Sequence, residues 1–358
     1  MSTVDDPSSP YGLRQAAVFD RLTLLPIAGY TQNGVAPAPT PARVAALGPE
    51  AWVASVRMAY QLAGYDRAAR GYQASYTLVR RPSGWKVADD TDGPTETQPW
   101  DLPDLAVASS PTSLVIGDLP IKQLQEYRAT ADAAAVRIAT VWGSATPAVL
   151  VAPSTVERFA SQSGRGAGGG TEQVAGLTNG PFLPGAATTS DRVYLNPQAF
   201  TRLTADGRRV VITHELTHVA VRASTTRPVP IWLSEGFADY VGFSGVTIPP
   251  TTVAADLLGR VRAGAGPTAL PTEADFDPAH GRISPSYNAA WLAVTRMAQR
   301  HGQAKVVEFY RAVAGAPPVQ PKTTDPEAPV RQAFRTVLGT TQEAFVADWL
   351  AYLDRLAG

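Results

Sequence analysis

Val210-Val211-Ile212-Thr213-His214-Glu215-Leu216-Thr217-His218-Val219-Ala220-Val221 is the stretch on which the reading of this chain turns. It sets an H-E-x-x-H pattern, His214 to His218, inside an apolar run. On a helix, residues four apart share one face, so both imidazoles can reach a single metal ion. Glu215, next to the first of them, can take a proton from a water held by that metal. The chain has only four histidines, and two of them fall here. At this composition a chance H-E-x-x-H has odds of roughly one or two in a thousand.

Two histidines leave a catalytic zinc ion short, because such a site takes three protein ligands and keeps a position open for water. No third histidine follows at the metzincin spacing: Val221 stands where that pattern wants Gly, and Ser224 where it wants His. The other source is a glutamate on a second helix. Trp232-Leu233-Ser234-Glu235-Gly236-Phe237-Ala238-Asp239-Tyr240 offers one, and Glu235 follows His218 by 17 positions. That gap lets the first helix end near Ser224 to Pro228, the chain reverse, and a second helix run back beside it. Asp239, four residues on, shares the face of Glu235. It is placed to accept the remaining imidazole N–H of His214 or His218. A plain salt-bridge partner is the other reading of Asp239.

HELTH followed by WLSEGFADY resembles the gluzincins, the thermolysin-like and aminopeptidase-N-like zinc peptidases of the peptidase MA-like superfamily. The resemblance implies zinc (Zn2+) held by His214, His218 and Glu235, with Glu215 as general base and Asp239 behind one histidine. It also implies a Tyr or His on the helical lobe that donates to the oxyanion. Tyr287 is the candidate, His280 the competitor, and His301 a more remote one. An edge strand upstream of the motif pairs with the substrate backbone in the family, which points to Arg192 to Asn196. The Gly-x-Met-Glu-Asn motif that clamps a free N-terminus in aminopeptidases has no counterpart here. The expected function is therefore zinc-dependent hydrolysis of peptide bonds in a peptide or protein substrate, as an endopeptidase rather than an aminopeptidase. Two other readings stay open: a catalytically weak or inactive zinc-binding protein acting as a binding module, and a non-peptidase zinc hydrolase on the same scaffold.

Composition sets the outer bounds. The 358 residues are 44% hydrophobic and 17% charged, which suits a globular protein of one large core or two moderate ones. The formal net charge is zero, so no global field favours nucleic acid. Cysteine is absent, which excludes disulfides, thiolate zinc sites and cysteine nucleophiles. No segment is long and apolar enough to span a membrane. Met1 to Pro10 is acidic and polar, unlike a signal peptide. Even so, the lack of Cys and the exported, membrane-tethered bacterial members of the resembled family favour an extracytoplasmic site.

The remaining pattern predicts an α+β chain. Residues 1–50 read as irregular, with one helix near Leu13 to Leu24. Trp52 to Leu62 alternates with the period of a half-buried strand, and Ala74 to Arg80 and Trp85 to Ala88 follow across a hairpin turn at Arg81-Pro82-Ser83-Gly84. These make a small antiparallel N-terminal module, residues 1–104. Residues 105–358 form the catalytic unit: a short mixed sheet from Ser113–Ile116, Ala148–Val151 and Arg192–Leu195, the motif helix, then a helical lobe. Gly164 to Gly170 lacks a Gly-Lys-Ser/Thr ending and reads as a linker, or as a lid over the cleft. Thr340-x-x-Glu343 reads as the capping box of the last helix.

Overall fold

A computed structural model describes residues 3–165, 173–180, 187, 190–315 and 327–358. Helix α1 (Pro10–Leu22) begins at Ser9, whose side chain accepts the N–H of Gly12. It is followed by β1 (Ile27–Ala38), the single turn α2 (Ala42–Ala45), β2 (Trp52–Leu62), β3 (Arg70–Arg81) and β4 (Gly84–Asp89). The strands form one antiparallel sheet in the order β1-β2-β3-β4. Arg81 pairs with Gly84 across a two-residue turn, and Gly84 takes a φ of 111°, where a side chain would be strained. The period of two in β2 is real: Ala54, Val56, Met58, Tyr60 and Leu62 all enter one core. Residues 27–38 correct the expectation of an irregular N-terminus. They form a 12-residue edge strand, mostly exposed, whose hydrogen bonds to β2 hold it without an apolar face of its own. An edge strand also tolerates Pro37, which a central strand would not.

A second sheet follows the 3-10 turn Pro99–Asp101. Its elements are β5 (Ala106–Ser109), β6 (Ser113–Gly117), α3 (Ile121–Trp142), β7 (Ala148–Ala152), α4 (Val156–Ser163), β8 (Gly176–Asn179), β9 (Arg192–Leu195) and the turn α5 (Pro197–Phe200). Strand order is β5-β6-β7-β9-β8, with β6, β7 and β9 parallel and the two outer strands antiparallel to their neighbours. Successive side chains leave a strand on opposite faces. Leu114, Ile116, Val149, Val151 and Tyr194 therefore pack towards the N-terminal sheet and Trp100, while Val115, Leu150, Val193 and Leu195 pack towards α3 and the helical lobe. Burial on both faces is why these strands read as unbroken apolar runs.

Strand β9 is interior, between β7 and β8, and so offers no free edge. The expectation that Arg192 to Asn196 pairs with substrate is therefore wrong, and the outer strand is β8. The Arg192 side chain turns instead towards the N-terminal sheet, where it meets Asp66 at 2.6 and 2.8 Å with both groups sealed from solvent. Residues 166–170 of the glycine-rich stretch lie outside the described residues, and with them the expectation of a linker or lid.

The lobe comprises α6 (Ala205–Arg222), α7 (Ile231–Phe243), the turn α8 (Pro250–Val253), α9 (Ala255–Arg262), α10 (Ser284–His301), α11 (Gln303–Gly315), α12 (Ala328–Val337) and α13 (Gln342–Ala357). Two 3-10 turns, Glu273–Phe276 and Pro278–His280, precede α10. The cap of α13 is Thr341, which accepts the N–H of Ala344, and not Thr340 as the capping-box reading had it. Phe309, Phe334 and Trp349 close the centre of the lobe, each fully buried and each worth roughly 1.5–3 kcal/mol of transfer free energy. The α+β class is as expected: an antiparallel sheet, a mixed sheet, then helices. Among the described residues no helix is long and apolar enough to cross a membrane.

Candidate metal centre

Helix α6 starts at Thr204, whose hydroxyl accepts the N–H of Gly207, and it carries Asp206 in its first turn and Arg222 in its last. Those charges suit the ends of the helix dipole. From Val210 to Val221 nearly every side chain is buried, because α6 lies between α3, α7 and strand β8. A helix enclosed on most sides gives its polar residues few partners, so each polar contact it does make is informative.

Helix α7 runs beside α6, and two glycines set how closely it is packed. A Cβ at Gly242 would stand 3.1 Å from the Val210 carbonyl of α6. A Cβ at Gly236 would overlap the Ala290 carbonyl of α10. Gly236 of the WLSEGFADY stretch thus lets α10 approach, and α10 carries Tyr287.

Three side-chain atoms converge between α6 and α7. His214 Nε2 lies 3.0 Å from His218 Nε2 and 3.1 Å from Glu235 Oε2, and His218 Nε2 is 3.5 Å from the same oxygen. Among the described residues this is the group of three that could hold a metal ion. On the far side of the ring, His214 Nδ1 sits 2.7 Å from Asp239 Oδ1. An Nδ1–H donated to that carboxylate leaves Nε2 with its lone pair facing inward. The sequence left open which histidine Asp239 serves; it serves His214. These groups also titrate against each other. Burial disfavours the His214 imidazolium, but Asp239 and Glu235 outweigh it and hold its pKa well above the ordinary value. Burial likewise opposes ionisation of Glu235, and His218 and His214 outweigh it, holding that carboxyl below the usual range.

Glu215 and Tyr287 face the same space. The two line a cleft of about 770 Å³ together with His214, His218 and Glu235. An adjoining cavity of about 530 Å³ shares His214, Glu215 and Tyr287 with it. The Tyr287 ring is 6.2 Å from that of His214 and 4.9 Å from that of Phe276, centroid to centroid. Burial, then the facing carboxylates of Glu235, Glu215 and Asp239, push its phenol well above the usual pKa, so it stays protonated and can donate. His280 is held elsewhere: its side chain is 66% exposed, 3.7 Å from Asp277, with Nδ1 3.2 Å from the Ala274 carbonyl. His301 ends α10, away from the residues that line the cleft.

Two contacts were invisible in the sequence. Thr178 of β8 donates to Glu215 Oε2 at 2.6 Å, and Gly176 lies directly against the Glu215 side chain. Neither residue belongs to a pattern, and β8 itself is too short and too mixed to be read as a strand.

No protein-family model matches the chain, and no curated protein matches it. Among solved structures, the chain is similar to an M1 zinc metallopeptidase from Deinococcus radiodurans, a mutant bound to a Tyr-Ser-Ala substrate. The identity is 15% and the TM-score 0.38, over 84% of this chain and 61% of that one. The chain thus spans less than two thirds of that peptidase's length.

Proposed function

We propose that this chain is a zinc-dependent peptidase that cleaves within peptide chains, with residues 105–358 as the catalytic unit and 1–104 as an accessory module. One observation carries the reading: two imidazole nitrogens and a carboxylate oxygen converge in a cleft that Glu215 and Tyr287 also line. Their chemistry fits zinc, which takes nitrogen and oxygen ligands at about 2.0–2.2 Å in a tetrahedron, so that ligand atoms stand about 3.3 Å apart. The separations here, 3.0, 3.1 and 3.5 Å, bracket that value.

His214, His218 and Glu235 would hold the ion, and Asp239 keeps the His214 tautomer that presents Nε2. Zinc, when bound, supplies a Lewis acid that polarises the scissile carbonyl and acidifies a water. Glu215 takes the proton of the attacking water on its carboxylate and delivers it to the leaving nitrogen. The Tyr287 hydroxyl donates to the carbonyl oxygen as charge develops there. Among the described residues strand β8 carries no further strand on its outer side, and it lines the cleft through Gly176, Leu177 and Thr178, so a substrate backbone can lie along it.

Room on both sides of Glu215 supports internal cleavage. One arm of the cleft runs past Arg222 and Arg227, the other past Val210, Phe243 and Val253. The proposed setting outside the cytoplasm rests on the resemblance of HELTH and WLSEGFADY to exported peptidases, since a chain without cysteine fits either redox compartment. A peptide-library digest with and without a chelator, repeated with Glu215→Gln, tests the whole reading. Chelator-sensitive internal cuts that vanish in the variant are expected. A wild-type protein that binds zinc and cuts nothing would leave a zinc-binding module; cuts that survive Glu215→Gln would remove Glu215 as the base.

A further inference from the structure

We infer that Thr178 is a positioning residue for Glu215, fixing one carboxylate oxygen so that the other is free to work, and that glycine at 176 is required for the same placement. The catalytic consequence rests on the peptidase reading above; the placement itself does not.

Glu215 has three rotatable side-chain bonds and lies in an enclosed part of α6. The Thr178 hydroxyl reaches Glu215 Oε2 at 2.6 Å. The same hydroxyl is 3.1 Å from the main-chain carbonyl of Glu215. A hydroxyl has one proton, and the charged, nearer acceptor takes it. Oε2 is thereby tied to strand β8, and none of the described residues holds Oε1.

Strand geometry explains why one short segment can do two jobs. Residues 176 and 178 are two apart, so both project from the same face of β8, towards α6. At 178 that face carries the hydroxyl. At 176 it must carry nothing: a Cβ there would stand 2.8 Å from Glu215 Cγ and 2.9 Å from Oε1. Both contacts are closer than real Cβ atoms come. The register of β8 is set from its start, where Asn196 donates its backbone N–H to Ala175 O (3.0 Å) and its side-chain N–H to Val174 O (2.9 Å).

A base held to one rotamer meets its proton in a fixed direction, and a misplacement of 1 Å can cost about a hundredfold in rate. The test uses Thr178→Val, which keeps the shape and removes the hydroxyl, Thr178→Ser, which keeps the hydroxyl, and Gly176→Ala. In the full chain loaded with zinc, Thr178→Val and Gly176→Ala should each lower kcat about 10–100-fold with KM within about twofold. Thr178→Ser should stay within about threefold of wild type, and all three should keep wild-type metal content and melting temperature. Crystal structures of the three should show the Glu215 carboxylate displaced in the first two and in place in Thr178→Ser. Wild-type kcat in Thr178→Val, a Ser variant as slow as the Val variant, or loss of metal with the Val change would each overturn the inference. If Thr178→Val does not fold, Thr178→Ala takes its place with the same expectation. If the wild-type protein cuts no peptide, the peptidase reading fails, and the crystal structures alone decide the placement: a Glu215 carboxylate unmoved in Thr178→Val overturns it.

Discussion

Two buried clusters of charge in this molecule use similar residue types to opposite ends. Beneath the junction of the sheets, Arg192 and Asp66 meet through two hydrogen bonds, and Asp66 Oδ2 also takes the N–H of Leu62. Both Nη groups of Arg192 there face carboxylate oxygens, and only its buried Nε has no partner among the described residues. Between α6 and α7, by contrast, His214 Nε2, His218 Nε2 and Glu235 Oε2 converge on one point as a group able to hold a metal ion. Deprotonated, they turn three lone pairs on that point, a set completed by an electrophile among them. Burial and charge alone do not separate a structural cluster from a reactive one; the match of donors to acceptors does.

The sharpest way to break this contrast is to remove a ligand. His214→Ala or His218→Ala should abolish bound zinc, measured by elemental analysis of the purified protein, and all hydrolysis with it; about one ion per chain is expected in wild type. Arg192→Leu should do the reverse. It leaves the Asp66 charge buried and unpaired, at a cost of about 3–5 kcal/mol in urea unfolding, while the folded fraction keeps its zinc. Adding Asp66→Leu should recover most of that loss, since the pair exists to satisfy itself; no recovery would mean that the junction depends on this pair for more than charge balance.

Smaller effects lie inside the metal centre. Tyr287→Phe should lower kcat about a hundredfold with little change in KM, as expected for a donor used only as charge develops. If kcat and KM both hold, the residue is a core aromatic. Asp239→Asn should weaken zinc about 10–100-fold in a competition titration against a chelator, because His214 loses the carboxylate that fixes its tautomer. An unchanged affinity would reduce Asp239 to a packing partner. The least effect belongs to a pair that matches donors to acceptors but in water: Lys305→Ala, opposite the exposed Glu308 at 2.7 Å, should shift stability by no more than about 0.5 kcal/mol.

Local spacing made much of the centre legible. A helix places residues four apart on one face whatever surrounds it, so His214 with His218, and Glu235 with Asp239, could be paired from the chain alone. The motif helix α6 and its neighbour α7 were likewise visible, the first broken at Ser224 to Pro228 and the second carrying Glu235 and Asp239 on one face. Strand β1 was not, since an edge strand exposed on both faces has no alternation to betray it. Strand β8 was not either, and with it went the whole support of Glu215. Which strand lies at the edge of the second sheet follows from the order β5-β6-β7-β9-β8, and order is a matter of pairing across the chain.

From the chain alone came the candidate ligand types, their helical spacing and the proposal of Glu215 as base, because those depend on contacts within a turn or two of one helix. Only the tertiary structure decided that Asp239 serves His214, that α10 comes close enough past Gly236 to bring Tyr287 into the cleft, and that Thr178 holds Glu215. Each of these joins segments tens of residues apart, whose meeting is set by how sheets and helices pack. No local periodicity in the chain encodes that packing.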